Sequence, residues 1–247
     1  MSDHVKLRVK FQKTGAIRFI GHLDVMRFFQ KCTRRAQIPV CYTGGFSPHQ
    51  ILTFAAPLSV GLESYGEYMD VEVESVTSSE DIMNRLNQAS VPEIKIVSVK
   101  RLPENAGNAM ASVAAAKYLV TFRDGKCVAP FDQDGATIQE AISDFLSKEQ
   151  ILYEKESKKG KRELDLKPGI FSFTYDEKQK AMEMLLDASS GDNIKPSQVL
   201  DAMLKLRGTS LPENSICVVR LDTYTRTSSD DENPGELISM DEVGEVF

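Results

Sequence analysis

A chain of 247 residues that is 41% hydrophobic can bury one large core or two smaller ones. Apolar runs fall well short of the roughly 20 residues of a membrane span, and Met1-Ser2-Asp3-His4-Val5 opens without a signal-peptide core, so a cytoplasmic protein with no membrane partner is expected. The formal net charge of −6 is unevenly spread: residues 1–60 carry nine Lys or Arg against two acids, and residues 228–247 carry seven acids and neither Lys nor Arg. That asymmetry points to an anionic partner for the first region, against a bland alternative of solvated faces, and to a disordered acidic tail.

Leu7 to Phe11 alternates with period two, as a half-buried strand does. After a Thr14-Gly15 turn, a helix is predicted over 22–37, with Val25, Phe28, Phe29, Cys32 and Ala36 as its inner stripe, Gly21 as N-cap and Asp24 in the first turn, where the helix dipole favours an acid. Its outer side carries Arg27, Lys31 and Arg34 at i, i+4 and i+7, with Arg35 beside them. Pro39 is expected to end this helix. Strands follow at 40–42, 51–55 and 68–74, then a helix capped by Ser78-Ser79-Glu80-Asp81 and a strand at 94–99.

Residues 103–115 are small and polar, the composition of a linker, and the pattern then recurs. A strand at 117–122 and a helix at 137–148 lead to strands at 151–156, 170–175 and 182–186, a helix opened by Lys195-Pro196-Ser197, and a strand at 216–223. The basic turn Lys158-Lys159-Gly160-Lys161-Arg162 adds an extra strand or a long hairpin. The expected fold class is α+β, with two tandem ferredoxin-like (βαββαβ) sandwich domains. The expected organisation is 1–103, a linker over 104–115, a second domain over 116–227, and the disordered tail over 228–247.

The chemistry is concentrated between residues 18 and 70. Cys32, Cys41, Cys127 and Cys217 lack CxxC spacing and read as small buried hydrophobes, so neither a metal nor a cofactor is expected. Walker A, Rossmann and nucleophile-elbow fingerprints are absent from the sequence, which disfavours the commonest motif-bearing enzymes. In Tyr42-Thr43-Gly44-Gly45-Phe46-Ser47-Pro48-His49, the glycines bring backbone N–H groups close to an anion, Pro48 stiffens the loop, and Tyr42, Phe46 and His49 offer flat surfaces to an unpaired base; a plain strand-connecting turn is the alternative. His22 either bonds backbone at the helix start or works as a phosphate contact or acid/base with His49 and Asp24. Glu63, Glu67 and Asp70 form either an acid/base set or ion pairs, with Arg18 or Lys13 available as partners.

Four spaced motifs, Arg18-Phe19-Ile20-Gly21-His22-Leu23-Asp24, Gly45-Phe46-Ser47-Pro48-His49, Pro57-Leu58-Ser59-Val60-Gly61 and Glu67-Tyr68-Met69-Asp70, together resemble the bacterial radical SAM-linked protein family, a domain of unknown function found beside or fused to radical SAM proteins with a cobalamin-binding-like region. The resemblance runs from about Leu7 to Thr227 and includes Arg162-Glu163-Leu164-Asp165-Leu166-Lys167-Pro168. That family often has Ser where Gly21 stands, which here leaves a backbone N-cap without a hydroxyl. The resemblance implies a radical SAM protein as partner, with any radical chemistry on that other polypeptide. The expected function is an accessory, RNA-binding or substrate-presenting protein in tRNA or rRNA modification or processing. Arg18, Arg27, Lys31, Arg34 and Arg35 would contact phosphate, and Tyr42, Gly44, Gly45, Phe46, Pro48 and His49 would meet the bases and backbone. The alternatives are a metal-independent ribonuclease or RNA-modifying enzyme using His22 and His49, and a docking module that contacts no RNA.

Overall fold

The alternation in the first strand separates two kinds of surface. In β1 (Val5–Lys13), Leu7, Val9 and Phe11 point into an apolar core while Lys6, Arg8 and Lys10 occupy the opposite face. The same division recurs in β3 (Glu63–Val73), where Met69, Val71 and Val73 join the core and Tyr68, Asp70 and Glu72 do not. This computed structural model describes residues 4–157, 160–191, 193–227 and 235–247. The fold is of the α+β class, and the chain divides into two compact units, Met1–Ala114 with Arg220–Phe247, and Ala115–Val219.

In the first unit β1 lies between β3 and β4 (Ile96–Arg101), and β2 (Leu52–Phe54) adds to β3 through Leu52↔Val71 and Phe54↔Met69. Every one of these pairings is antiparallel, in the order β4-β1-β3-β2. The expected strands at 40–42 and 51–55 are shorter than the sequence implied: Val40 and Tyr42 make single bridges, to Val73 and Gln50.

Two helices cover the core face. In α1 (His22–Arg35) Val25, Phe29 and Cys32 are buried, and in α2 (Ser79–Ala89) Ile82 and Leu86. Phe11 meets Phe29 at a centroid distance of 4.6 Å, and Phe54 edges Phe11 at 6.2 Å. The exit of α1 is set before Pro39. Gln37 takes a left-handed conformation (φ 53), its N–H donates to the Arg34 carbonyl, and the Ile38 N–H donates to the Thr33 carbonyl, a Schellman turn that stops the helix at Arg35. The Ser78 hydroxyl caps α2 by accepting from the Asp81 N–H at 3.1 Å, as its sequence implies.

The segment 104–115 is more than a spacer: Asn108 caps a single turn, α3 (Ala109–Ser112), and Ala109 and Val113 are buried.

The tail requires a correction. Residues 228–234 lie outside the described residues, but 235–247 are folded onto the first unit. Within β10 (Ile216–Arg226), Tyr224, Thr225 and Arg226 pair with β11 (Leu237–Ser239), Met240 is fully buried, and Glu245 exchanges two backbone hydrogen bonds with Arg101 at 2.8 and 3.0 Å. The Phe247 carbonyl accepts from the Ser79 N–H at 2.9 Å. The acids that made this segment look disordered are partly employed: Asp241 meets Lys100 at 3.9 Å, and Glu242 accepts from the Ser239 N–H at 2.8 Å. The first unit is therefore discontinuous, which the expected succession of domains did not include.

In the second unit β5 (Ala115–Phe122), β9 (Ala181–Asp187) and β8 (Ile170–Asp176) run antiparallel in the order β5-β9-β8. The Arg123 N–H donates to the Ser215 carbonyl at 2.8 Å, which sets the start of β10 beside the end of β5. Helix α4 (Gly135–Leu146) turns Ile138, Ala141, Ile142 and Phe145 inward, and α5 (Pro196–Lys205) buries Val199, Leu200 and Met203. The expected hairpin is β6 (Leu152–Ser157) with β7 (Gly160–Asp165), a two-stranded sheet of its own; Lys158 and Lys159 at its turn lie outside the described residues. Among the described residues no helix is long and apolar enough to cross a membrane.

Candidate functional site

The loop between α1 and β2 is a closed, cross-braced turn. The Thr43 N–H donates to the His49 carbonyl at 2.9 Å, the His49 N–H to the Thr43 hydroxyl at 3.1 Å, and the Ile51 N–H to the Cys41 carbonyl at 2.9 Å. Beneath it, buried Gln50 bonds the Thr33 hydroxyl of α1 at 3.1 Å and donates to the Tyr42 phenol at 3.4 Å. Gly45 sits at φ +97, where only glycine is unstrained, and the turn it makes leaves Gly44, Phe46, Ser47 and Pro48 exposed, Phe46 with its entire ring in solvent. Tyr42 is half exposed, its hydroxyl tied down and its ring outward.

The outer face of α1 is basic, though its cations are not equally available. Lys31 is exposed and has no polar partner among the described residues. Arg34 folds back, its Nε donating to the Gln30 carbonyl at 2.9 Å, and Arg27 makes a solvent-exposed contact with Asp24 at 3.4 Å, of the kind that contributes little. Arg35 is engaged within the fold, donating to the Ala89 carbonyl at the end of α2 at 2.7 Å, while Arg85 of α2 donates in return to the Ala36 carbonyl at 3.0 Å. Each helix thus closes the other's C-terminus, where a cation suits the dipole. Arg18 lies over the Phe19 ring at 4.8 Å and pairs with Glu63 at 2.9 Å, and its carbonyl accepts from the Gly61 N–H at 2.8 Å, joining the 15–19 turn to the 57–61 turn.

The two histidines occupy different settings. His22 packs edge-on against Phe54 at 5.3 Å and lines a narrow pocket of about 10 Å³ with Lys13, Val25, Pro57, Leu58 and Glu67. His49 is not among the residues of that pocket; its Nδ1 lies 3.1 Å from the Thr43 hydroxyl and 3.4 Å from the Ser47 carbonyl. Asp24 is bonded to Arg27, on the exposed side of the helix.

The carboxylates divide among three arginines. Glu63 takes Arg18, Asp70 takes Arg8 through two hydrogen bonds of 2.8 and 2.9 Å, and Glu67 takes Arg220 at 2.9 Å. The pairing of Glu67 with Arg220, 153 residues away, carries no local sequence signal. Lys13, the other cation that the sequence offers these acids, donates through its Nζ to the Ile20 carbonyl at 3.0 Å instead. Burial pushes the Lys13 ammonium below its ordinary pKa, partly offset by the charge of Glu67. On the opposite face of the sheet the Tyr68 hydroxyl donates to Asp222 at 2.6 Å, and Asp222 also accepts from Ser239 at 2.7 Å and Lys10 at 3.2 Å. Burial and the Asp222 charge drive the Tyr68 phenol far above its usual range.

Among the described residues no three His, Cys, Asp or Glu side chains gather at metal-binding spacing. Cys32 and Cys41 are buried as expected; Cys127 and Cys217 are exposed, which corrects the reading of all four as buried hydrophobes. No curated protein matches the chain. The sequence model of one family matches residues 6–196, more than three-quarters of the length, and the chain belongs to that family, an uncharacterized protein family conserved in bacteria (DUF2344).

Proposed function

We propose that this chain is an accessory RNA-binding, substrate-presenting partner of a radical SAM enzyme acting in tRNA or rRNA modification or processing, without catalytic activity of its own. The observation that carries the reading is the braced loop. Phe46 is held fully in solvent by a turn braced by hydrogen bonds between Thr43 and His49, and through Gln50 and Thr33 that turn is fastened to the helix presenting Arg27, Lys31 and Arg34. A bare aromatic ring on a loop fastened to a helix that carries a row of cations suits a single strand, with base on ring and phosphate on cation. The radical SAM association rests on the sequence motifs alone. The ferredoxin-like description of both units belongs to the same proposal; the antiparallel order β4-β1-β3-β2 supports it in the first.

A docking module is the second reading. Phe19 and Val60 are both about three-fifths exposed, in turns linked by the hydrogen bond from the Gly61 N–H to the Arg18 carbonyl. The ribonuclease reading is weakened by the engagement of His49 with Thr43 and its absence from the pocket of His22.

The test is equilibrium binding of single-stranded RNA by wild type, Phe46→Ala and Arg34→Ala over a series of salt concentrations. Loss of stacking in Phe46→Ala should cost about 1–3 kcal/mol. Arg34→Ala should flatten the salt dependence by roughly 0.7 in log–log slope. Binding that ignores both substitutions, with a radical SAM protein still captured, supports the docking module instead.

A further inference from the structure

On the polar face of the first sheet a cavity of about 70 Å³ separates two opposite charges that the strand register brings together. Lys6 and Glu72 are partners in the β1–β3 ladder, where facing side chains start about 5 Å apart and an opposite pair ordinarily bonds. Both line the cavity instead. Among the described residues the Glu72 carboxylate makes no ion pair or hydrogen bond, and Lys6 makes only a long contact of 3.4 Å with the Ala106 carbonyl. Two further polar groups line the same space. The Thr53 hydroxyl has no partner among the described residues, and Asn108, whose Oδ1 accepts from the Met110 N–H at 2.9 Å, keeps its amide N–H groups unused. Asp70, also in the wall, is already committed to Arg8 through two hydrogen bonds.

From this geometry we infer that the cavity binds the zwitterionic head of an α-amino acid, with its carboxylate toward Lys6 and Asn108 and its ammonium toward Glu72 and Thr53. The charges around the cavity cancel, Lys6 against Glu72 and Arg8 against Asp70, so a dipolar ligand of no net charge matches them where a simple anion or cation meets one wall of its own sign. Water can hydrogen-bond both walls but offsets neither charge, whereas a zwitterion makes a charge-assisted hydrogen bond at each end. The volume is that of about two waters at roughly 30 Å³ each, which admits the head group and leaves a side chain outside. The inference does not rest on the RNA reading: the cavity shares no residue with the 43–49 loop or with α1.

Glycine is the probe, titrated into the full chain at constant ionic strength, with the Asn108 side-chain amide resonances and the thermal midpoint as readouts. A saturable shift of Asn108 and a rising midpoint are expected. Acetate and methylammonium, each carrying one half of the head group, should bind far more weakly. Lys6→Met and Glu72→Gln remove side chains that brace nothing else in the fold, and each should weaken the glycine response roughly 10- to 100-fold, the value of one charge-assisted hydrogen bond. A shift that rises linearly without saturating, one matched by acetate or methylammonium alone, or one retained in a folded Glu72→Gln variant overturns the assignment.

Discussion

Replacing Glu67 by Gln should be among the most damaging isosteric changes in the first unit. Glu67 is 6% exposed, its carboxylate accepts from Arg220 at 2.9 Å, and its charge acts on Lys13, which is 2% exposed. Glutamine keeps the shape and one acceptor but takes the shared negative charge away from Arg220 and Lys13. Removing one member of a buried ion pair costs about 3–5 kcal/mol, because the survivor keeps its desolvation penalty. At roughly 2–4 °C per kcal/mol for a chain of this size, the midpoint of the first unit should fall by about 6–20 °C. The chain has no tryptophan, so thermal and urea unfolding followed by far-UV circular dichroism are the suitable assays, with the transition assigned to its unit by hydrogen exchange. A second substitution gives a sharper check: Lys13→Met placed in the Glu67→Gln background should recover part of the loss, since it removes one of the two cations that the carboxylate had served. A single-variant loss below about 1 kcal/mol, the scale of an exposed pair, would refute the argument that these charges are desolvated.

Two further outcomes follow from the opposite face of the sheet. Tyr68 has a folded pKa raised above its unfolded value of 10.0, so its stabilising contribution is complete below pH 10 and is lost as pH rises beyond it; Tyr68→Phe should flatten this alkaline loss in a pH series of urea midpoints, and an unchanged slope would count against the Asp222 contact. Gly66→Ala should cost at least about 2 kcal/mol, because the added carbon would lie 2.4 Å from the Asp222 Cα and 2.9 Å from the Leu221 carbonyl oxygen, both backbone atoms with no freedom to yield; near-neutral stability in the same assay would show that β3 and β10 do not approach so closely.

What could be read from the sequence was local. The two-residue period of Leu7, Val9 and Phe11, the apolar stripe of α1, the Ser78 cap and the Gly44-Gly45 turn each follow from neighbours within a few positions, and each stands in the fold. What escaped was set by distant partners. Arg220 reaches Glu67 across 153 residues, and nothing in Val218-Val219-Arg220-Leu221 distinguishes a buried arginine from an exposed one in an alternating strand. The acidic tail misled because composition was weighed and pattern was not: Leu237-Ile238-Ser239-Met240 is a short apolar run, and its strand pairs only once β10 is in place. Val40–Tyr42 failed as a strand for the converse reason, a β-rich tripeptide with only isolated bridges for partners.

Because Arg220–Phe247 completes the unit formed with Met1–Ala114, that unit is finished only after Ala115–Val219 has been made. The usual order, in which the N-terminal domain folds while the rest is still being made, is closed to it. When Ala114 leaves the ribosome, Arg8 still lacks the Met240 carbonyl, Tyr68 and Lys10 lack Asp222, and the backbone of Arg101 lacks Glu245. A further 105 residues, Ala115 to Val219, must be translated before the missing strand arrives. The segment up to Ala114 therefore waits with an open polar face and an unpaired strand edge, and a premature stop anywhere before residue 220 leaves both uncovered.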